Sequence, residues 1–297
     1  MLAARFLRDR RELHGRRRRD GRLNPPHPPL HLQAMNYSDY QTLSFSRSGA
    51  VLTVRIHRPD ALNAVNATLH TELSQVFAQI AQDASVDAVV LTGEGRAFSA
   101  GGDLAWFGDI TPAQLDALFV EARKIIVDLV DLPQPIVSAI NGVAAGLGAT
   151  LALFCDVIYV ADDAKISDPH VRIGVTAGDG GAVIWPFLVG MSRAKEYLMT
   201  GDSLSATEAE RIGLVNRVVP ADQLVEQAQA MAARLATGSR MAIRSTKASL
   251  NKHLRDAVNL VLDTSLAFEK ECFSDPFHKN AIKAFAARGP REGSAAS

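Results

Sequence analysis

The chain has 297 residues, 47% apolar and 22% charged, which excludes a disordered protein and leaves room for a large core in one or two domains. Nine arginines but only Asp9, Glu12 and Asp20 fall in residues 1–34, so residues 35–297 carry 23 basic against 29 acidic groups, and this mildly acidic body lacks the positive field of a protein that coats nucleic acid. Cys155 and Cys272 form no CxxC pair, which excludes a cysteine-rich zinc module and fits a reducing, cytoplasmic setting with both thiols as small core residues.

Residues 1–34 are arginine-rich, then proline-rich, and predict a disordered extension ahead of Met35. Their three acidic residues and lack of serine argue against a mitochondrial leader. The body, from 35 to 200, alternates strands and helices. "VLTVRIH" at 51–57, "VDAVVLTG" at 86–93, "PIVSAI" at 135–140 and "CDVIYVA" at 155–161 read as strands. Helical spacing falls between them, near 66–82, at 112–131 and from about 146. Such alternation predicts parallel strands with covering helices, an α/β class. The longest apolar run, "GLGATLALFCDVIYVA", is broken by Asp156 and falls short of the roughly 18–20 residues that span a bilayer. After Gly201 the strands are expected to stop. Residues 201–297 carry only helical patterns, with Ser205 and Asp222 at N-cap positions, and predict a helical appendage suited to subunit contacts.

Two glycine turns carry chemistry. "GRAFSAGGDL" at 95–104 places Ala100, Gly101 and Gly102 before Asp103, and "NGVAAGLGAT" at 141–150 ends a strand and starts a helix. Small residues let a ligand approach main-chain N–H groups, and the first N–H groups of a helix have no internal partner. One donor from each turn converging on one oxygen would make an oxyanion hole. Neither a GxGxxG turn with a distant acidic residue nor a GxxxxGK[ST] loop is present, which removes a dinucleotide or P-loop reading. Asp103 is placed to cap the next helix. His70 reads as a surface or packing residue, and Trp185 and Phe187 as core or acyl-pocket residues. Asp168, His170 and Asp179 match no metal-binding spacing such as HExxH, so no metal is expected.

In order, "RPDALNA" (58–64), "AFSAGGDL" (97–104), "NGVAAGLGATLALFCDVIYVADDAKIS" (141–167) and "IGVTAGDGG" (173–181) resemble the crotonase family, the enoyl-CoA hydratase/isomerase superfamily, over about residues 43–290. The resemblance implies a spiral of ββα units, a C-terminal helical trimerisation region and trimers that pair into hexamers. It also implies acyl-CoA thioester substrates, with coenzyme A as part of the substrate and no other cofactor. The implied oxyanion donors are the N–H groups of Ala100 and Leu147. The adenine end of coenzyme A would lie along Ala61 and Leu62, with Arg58 nearby. Gly101, Gly102, Asp103, Thr150 and Gly178 complete the implied substrate contacts.

The chain departs from the hydratases of that family where they use two glutamates, because Thr150 and His170 stand at those positions. Threonine can orient a water but cannot take its proton near neutral pH, whereas histidine can act as acid and base. His170 with Asp179 is therefore the expected acid/base pair for enolate chemistry of the hydratase/isomerase type. The same pair, nine residues apart, is similar to that of the β-diketone hydrolases, crotonase relatives that split carbon–carbon bonds. A third possibility, an RNA-binding homologue, would rest on the arginine tail alone.

Overall fold

The computed structural model describes residues 35–287; the extension expected over 1–34 lies outside them. Strands β1 (Leu43–Ser48) and β2 (Val51–Ile56) pair antiparallel, and β2, β3 (Ala88–Gly93), β5 (Ile136–Ile140), β7 (Val157–Ala161) and β10 (Arg217–Val219) continue the sheet in parallel. Strands β3 and β5 are buried at every residue, as "AVVLTG" and "IVSAI" require when helices cover both faces of a parallel sheet. A second sheet has the order β4 (Ala97–Ser99), β6 (Val143–Ala145), β8 (Lys165–Ser167) and β9 (Leu204–Ser205). The chain alternates between the sheets, β3 to β4, β5 to β6 and β7 to β8, with helices following each pair. This is the expected succession of ββα units.

Helix α1 (Ala67–Gln82) starts at Asn66, whose side chain accepts from the Leu69 N–H at 3.0 Å. It buries Leu69, Leu73, Val76, Phe77 and Ile80, one stripe at helical spacing. Leu73 is fully buried, and Leu73→Ala would cost about 2–5 kcal/mol for the lost transfer energy plus the cavity. Two more helices precede β5. They are α2 (Leu104–Gly108), capped by Asp103, and α3 (Pro112–Asp131), which opens on a reciprocal capping box between Thr111 and Gln114 and packs on α1. Helix α4 (Leu147–Leu153) follows β6, and α5 (Gly181–Val189) and α6 (Met191–Thr200) follow β8.

Beyond Gly201 the structure departs from expectation. Strands β9 and β10 lie there, flanking α7 (Ala206–Arg211). At two and three residues, on sheet edges, they are too short to carry a period. Ser205 does cap α7, accepting from the Glu208 N–H. Asp222 caps nothing: it lies inside a 3-10 turn, Ala221–Gln223, and α8 (Leu224–Ala236) starts without a side-chain cap. Trp185 is fully buried, but Phe187 is half exposed and belongs to neither core nor cavity. Cys155 is buried, and Cys272 only partly.

Helix α9 (Arg240–Ala257) passes through a π-helical turn, Val258–Leu262, into α10 (Asp263–Cys272), and α11 (Pro276–Ala287) completes the described chain. These helices are more than an appendage, because α11 packs on α2 and on the 3-10 turn His170–Ile173. Among the described residues, no helix is long and apolar enough to cross a membrane.

Candidate active site

Three neighbouring parallel strands of the small sheet, β4, β6 and β8, deliver the site. Each releases it directly past its C-terminal end: Ala100 to Gly102 after β4, Gly146 and Leu147 after β6, Asp168 to His170 after β8. Glycine is required at two of these exits. Gly101 has φ +84°, and a Cβ there would stand 2.7 Å from the Ala145 carbonyl oxygen. Gly146 has φ +52°, and its Cβ would stand 3.3 Å from Cε1 of His170. Both positions combine a left-handed backbone with close approach.

The exits enclose a cavity of about 160 Å³. Ala100, Gly101, Gly102, Leu147, His170 and Asp179, all expected at the site, line it together. Val65, Leu104, Trp106, Phe107, Leu118 and Ala122 make the rest of the wall largely apolar. Thr150 stands one layer behind and donates from Oγ1 to Asp179 Oδ1 at 3.2 Å.

The two implied oxyanion donors differ. Leu147 is the first residue of α4, and its N–H finds no acceptor among the described residues, as expected of a first helical turn. The Ala100 N–H instead donates to the Leu62 carbonyl at 3.0 Å. Leu62 adopts φ +52° at the end of the 3-10 turn Pro59–Ala61, a costly conformation for leucine. So one amide stands open and the other is already engaged.

His170 sits between two carboxylates. Its Nδ1 is 2.5 Å from Asp168 Oδ1, and its Nε2 is 3.4 Å from Asp179 Oδ2. Asp179 is thus a partner of the imidazole, as expected, but the shorter contact belongs to Asp168, which sequence reasoning considered only as a metal ligand. Burial works against charge on the imidazole. The negative charges of Asp168 and Asp179 and their hydrogen bonds outweigh it and raise the pKa well above the ordinary histidine value, so the ring is a cation at neutral pH. Ligand atoms of the three residues lie within 4.8 Å of one another.

Glu269, from α10, lines the same cavity, and no sequence feature pointed to it. Its Oε2 is sealed from solvent with no hydrogen-bond partner among the described residues. Burial, reinforced by the negative charge of Asp179 and opposed by His170, raises its pKa well above the ordinary value and favours the protonated form. His70 is buried, which removes the surface reading and leaves packing. It is 3% exposed and faces the cavity, with Nδ1 held 2.7 Å from Glu121 Oε2 on α3.

Of the other residues implied for coenzyme A and substrate, Arg58, Ala61, Leu62, Asp103, Thr150 and Gly178 do not line this cavity. The Arg58 guanidinium bonds the Ala64 carbonyl and lies 3.4 Å from Asp103 Oδ2. The Ala61 carbonyl accepts from the Ala64 N–H at 3.0 Å. Asp103 caps α2 through the Ala105 N–H. The Gly178 carbonyl accepts from Ser265 Oγ, and a Cβ on Gly178 would collide with Glu269. Gly178 therefore makes room for Glu269 rather than lining the cavity.

Most of the chain matches one family of known proteins. The family model described as enoyl-CoA hydratase/isomerase matches residues 46–292. The short-chain-enoyl-CoA hydratase of Clostridium acetobutylicum is 34% identical over 252 residues, covering 83% of this chain and 95% of that protein. The crotonyl-CoA hydratase of Syntrophomonas wolfei is 30% identical over 247 residues, covering 83% and 95%. A crystal structure of an enoyl-CoA hydratase/isomerase from Mycobacterium paratuberculosis superimposes with a TM-score of 0.80 at 35% identity, over 82% of this chain and 98% of that one.

Proposed function

Because this chain belongs to the enoyl-CoA hydratase/isomerase family of the crotonase superfamily, we propose that it acts on an acyl-CoA thioester through an enolate, as a lyase of the hydratase type. The observation that carries the reading is the imidazole of His170, placed between Asp168 and Asp179 on the cavity that also holds the open Leu147 amide.

The thioester oxygen takes the Leu147 N–H as its first donor. The Ala100 N–H joins as a three-centre bond shared with the Leu62 carbonyl, an arrangement proteins use commonly. Charge then develops where fixed donors already point. Asp179, steadied by Thr150, accepts a proton from water as the water oxygen bonds to Cβ, and the electron pair moves onto the thioester oxygen. As the enolate collapses, Nε2 of His170 delivers its proton to Cα. Asp179 then returns the water proton to Nε2 across their ion pair, which restores the starting state. Glu269, biased toward its protonated form, limits the negative charge of the buried cluster. Coenzyme A enters only as part of the substrate. Exposed Phe187 and Leu250 on an apolar groove with Leu254 support assembly of the chain with copies of itself.

A second reading is hydrolytic carbon–carbon cleavage of a β-diketone, with the Asp179-held water attacking a ketone and the enolate leaving into the same amides. It accords with one feature: the Arg58 guanidinium is engaged by the Ala64 carbonyl and Asp103. A panel of enoyl-CoA thioesters and cyclic β-diketones, followed for hydration, for cleavage and for deuterium wash-in at Cα, tests both. Wash-in that vanishes in His170→Ala is the expected result. No wash-in and no turnover on any member would overturn the enolate reading.

A further inference from the structure

A second cavity adjoins the first, and the chemistry above does not use it. It measures about 600 Å³, against about 160 Å³ for the one that holds His170. It lies between α2, the start of α3 and α11, and Ile110, Leu115, Phe273 and Ile282 give it an apolar lining. Leu104 and Phe107 of α2 line both cavities, so they form the wall between them. The tip of the Phe107 ring presses on Gly102, where a Cβ would stand 2.5 Å from Phe107 Cζ. The second glycine of the "AFSAGGDL" turn thus makes room for this ring, as the first makes the turn. Phe273 meets the ring edge-on with centroids 5.5 Å apart, and Trp106 flanks it at 5.4 Å. Held on these three sides, the ring cannot swing aside without giving up close packing.

In the first cavity the Leu147 amide, His170, Asp179 and Glu269 supply polar groups, which leaves the apolar wall as the surface an alkyl chain packs against. A chain that starts from a carbonyl on Leu147 and follows that wall ends at Leu104 and Phe107, and the larger space lies beyond them. We propose that Phe107 is a specificity-determining residue: its ring closes the acyl site to long chains, so the protein takes short acyl groups, and its removal joins the site to the second cavity. The inference rests on the acyl-thioester reading for the group that enters, and it deepens that reading with a chain-length limit and the residue that sets it.

Calorimetric binding of a saturated series, butanoyl-, hexanoyl-, octanoyl- and decanoyl-CoA, to the full chain tests it. Each methylene that is buried raises affinity about fourfold. In the unaltered protein that gain should stop within the series, with decanoyl-CoA bound no more tightly than hexanoyl-CoA. Phe107→Ala should raise the decanoyl-to-butanoyl affinity ratio by at least about tenfold, the value of two or so methylenes. Phe107→Leu, which keeps a shorter side chain in the wall, should raise it by about threefold, and it carries the test should Phe107→Ala fail to fold. Gly108 lines the second cavity and not the first, and a Cβ there would stand 3.6 Å from Ile282 Cγ2, an ordinary contact. Adding Gly108→Leu to Phe107→Ala should refill that space and remove the gain, which a general loosening of the site would not allow. Affinity that keeps climbing to decanoyl-CoA in the unaltered protein, a ratio that Phe107→Ala leaves unchanged, or a gain that survives Gly108→Leu would overturn the proposal and leave the acyl-CoA reading standing. Binding of no member of the series would overturn both.

Discussion

His170 and His70 line one cavity from different elements, and their surroundings differ by one carboxylate. His170, on the loop after β8, has Asp168 on Nδ1 and Asp179 on Nε2. His70, on α1, has Glu121 on Nδ1 and nothing on Nε2. With a carboxylate at each nitrogen, the first imidazole is biased toward its charged form, as the proposed proton transfer requires. With one nitrogen free, the second has an unused hydrogen-bonding position aimed by the first. Identical side chains thus differ in chemical setting according to how many partners the fold supplies.

Removing the first imidazole should have the largest effect. His170→Ala leaves Asp168 and Asp179 buried without their cation, so it should lower kcat/KM by about a thousandfold or more and stability by about 3 kcal/mol. Steady-state kinetics and urea unfolding check the two effects. A loss of stability without loss of turnover would make His170 a structural residue and break the comparison. Asp168→Asn keeps the shape but removes the strongest influence raising the His170 pKa. Turnover should fall by about 10–100-fold, the value of one hydrogen bond to a charged group. The alkaline limb of the pH–rate profile should also move to lower pH.

The pH dependence of stability sharpens the same point. His170 has a folded pKa above its ordinary value of 6.5, so its stabilisation is complete below that value and is lost as pH rises through the raised folded one. Glu269, raised from 4.5, acts in the same direction. The urea midpoint should therefore fall from neutral to alkaline pH, and Glu269→Gln should flatten the slope. Thr150→Val removes the donor to Asp179 Oδ1 and should cost turnover about tenfold, measured against unchanged melting. Glu121→Gln is the mildest change. It should alter stability by about 1 kcal/mol and leave kcat within about threefold, since His70 carries no proton in the reaction.

Much of the frame was legible before any coordinates. The unbroken apolar runs of β3 and β5 announced buried parallel strands, and the stripe of α1 announced its packed face. Gly101 and Gly146 marked the sharp exits, and His170 with Asp179 was recognisable at family positions. The partners of the site were not. Asp168 is two residues from His170, yet spacing does not say which way a carboxylate turns. Glu269 arrives from a helix that read as an appendage, and His70 from one that read as packing.

Sequence alone determined what depends on near neighbours along the chain: periodicity, caps, glycine turns and the order of the ββα units. Backbone sterics and local hydrogen bonds act over a few residues, so they leave a local trace. Only the tertiary structure decided which carboxylates surround which imidazole, that Glu269 is buried beside them, and that the Leu147 amide is open while the Ala100 amide is engaged. Coulomb forces and desolvation act through space, and the distances that set them exist only after the strands and the C-terminal helices have closed around the cavity.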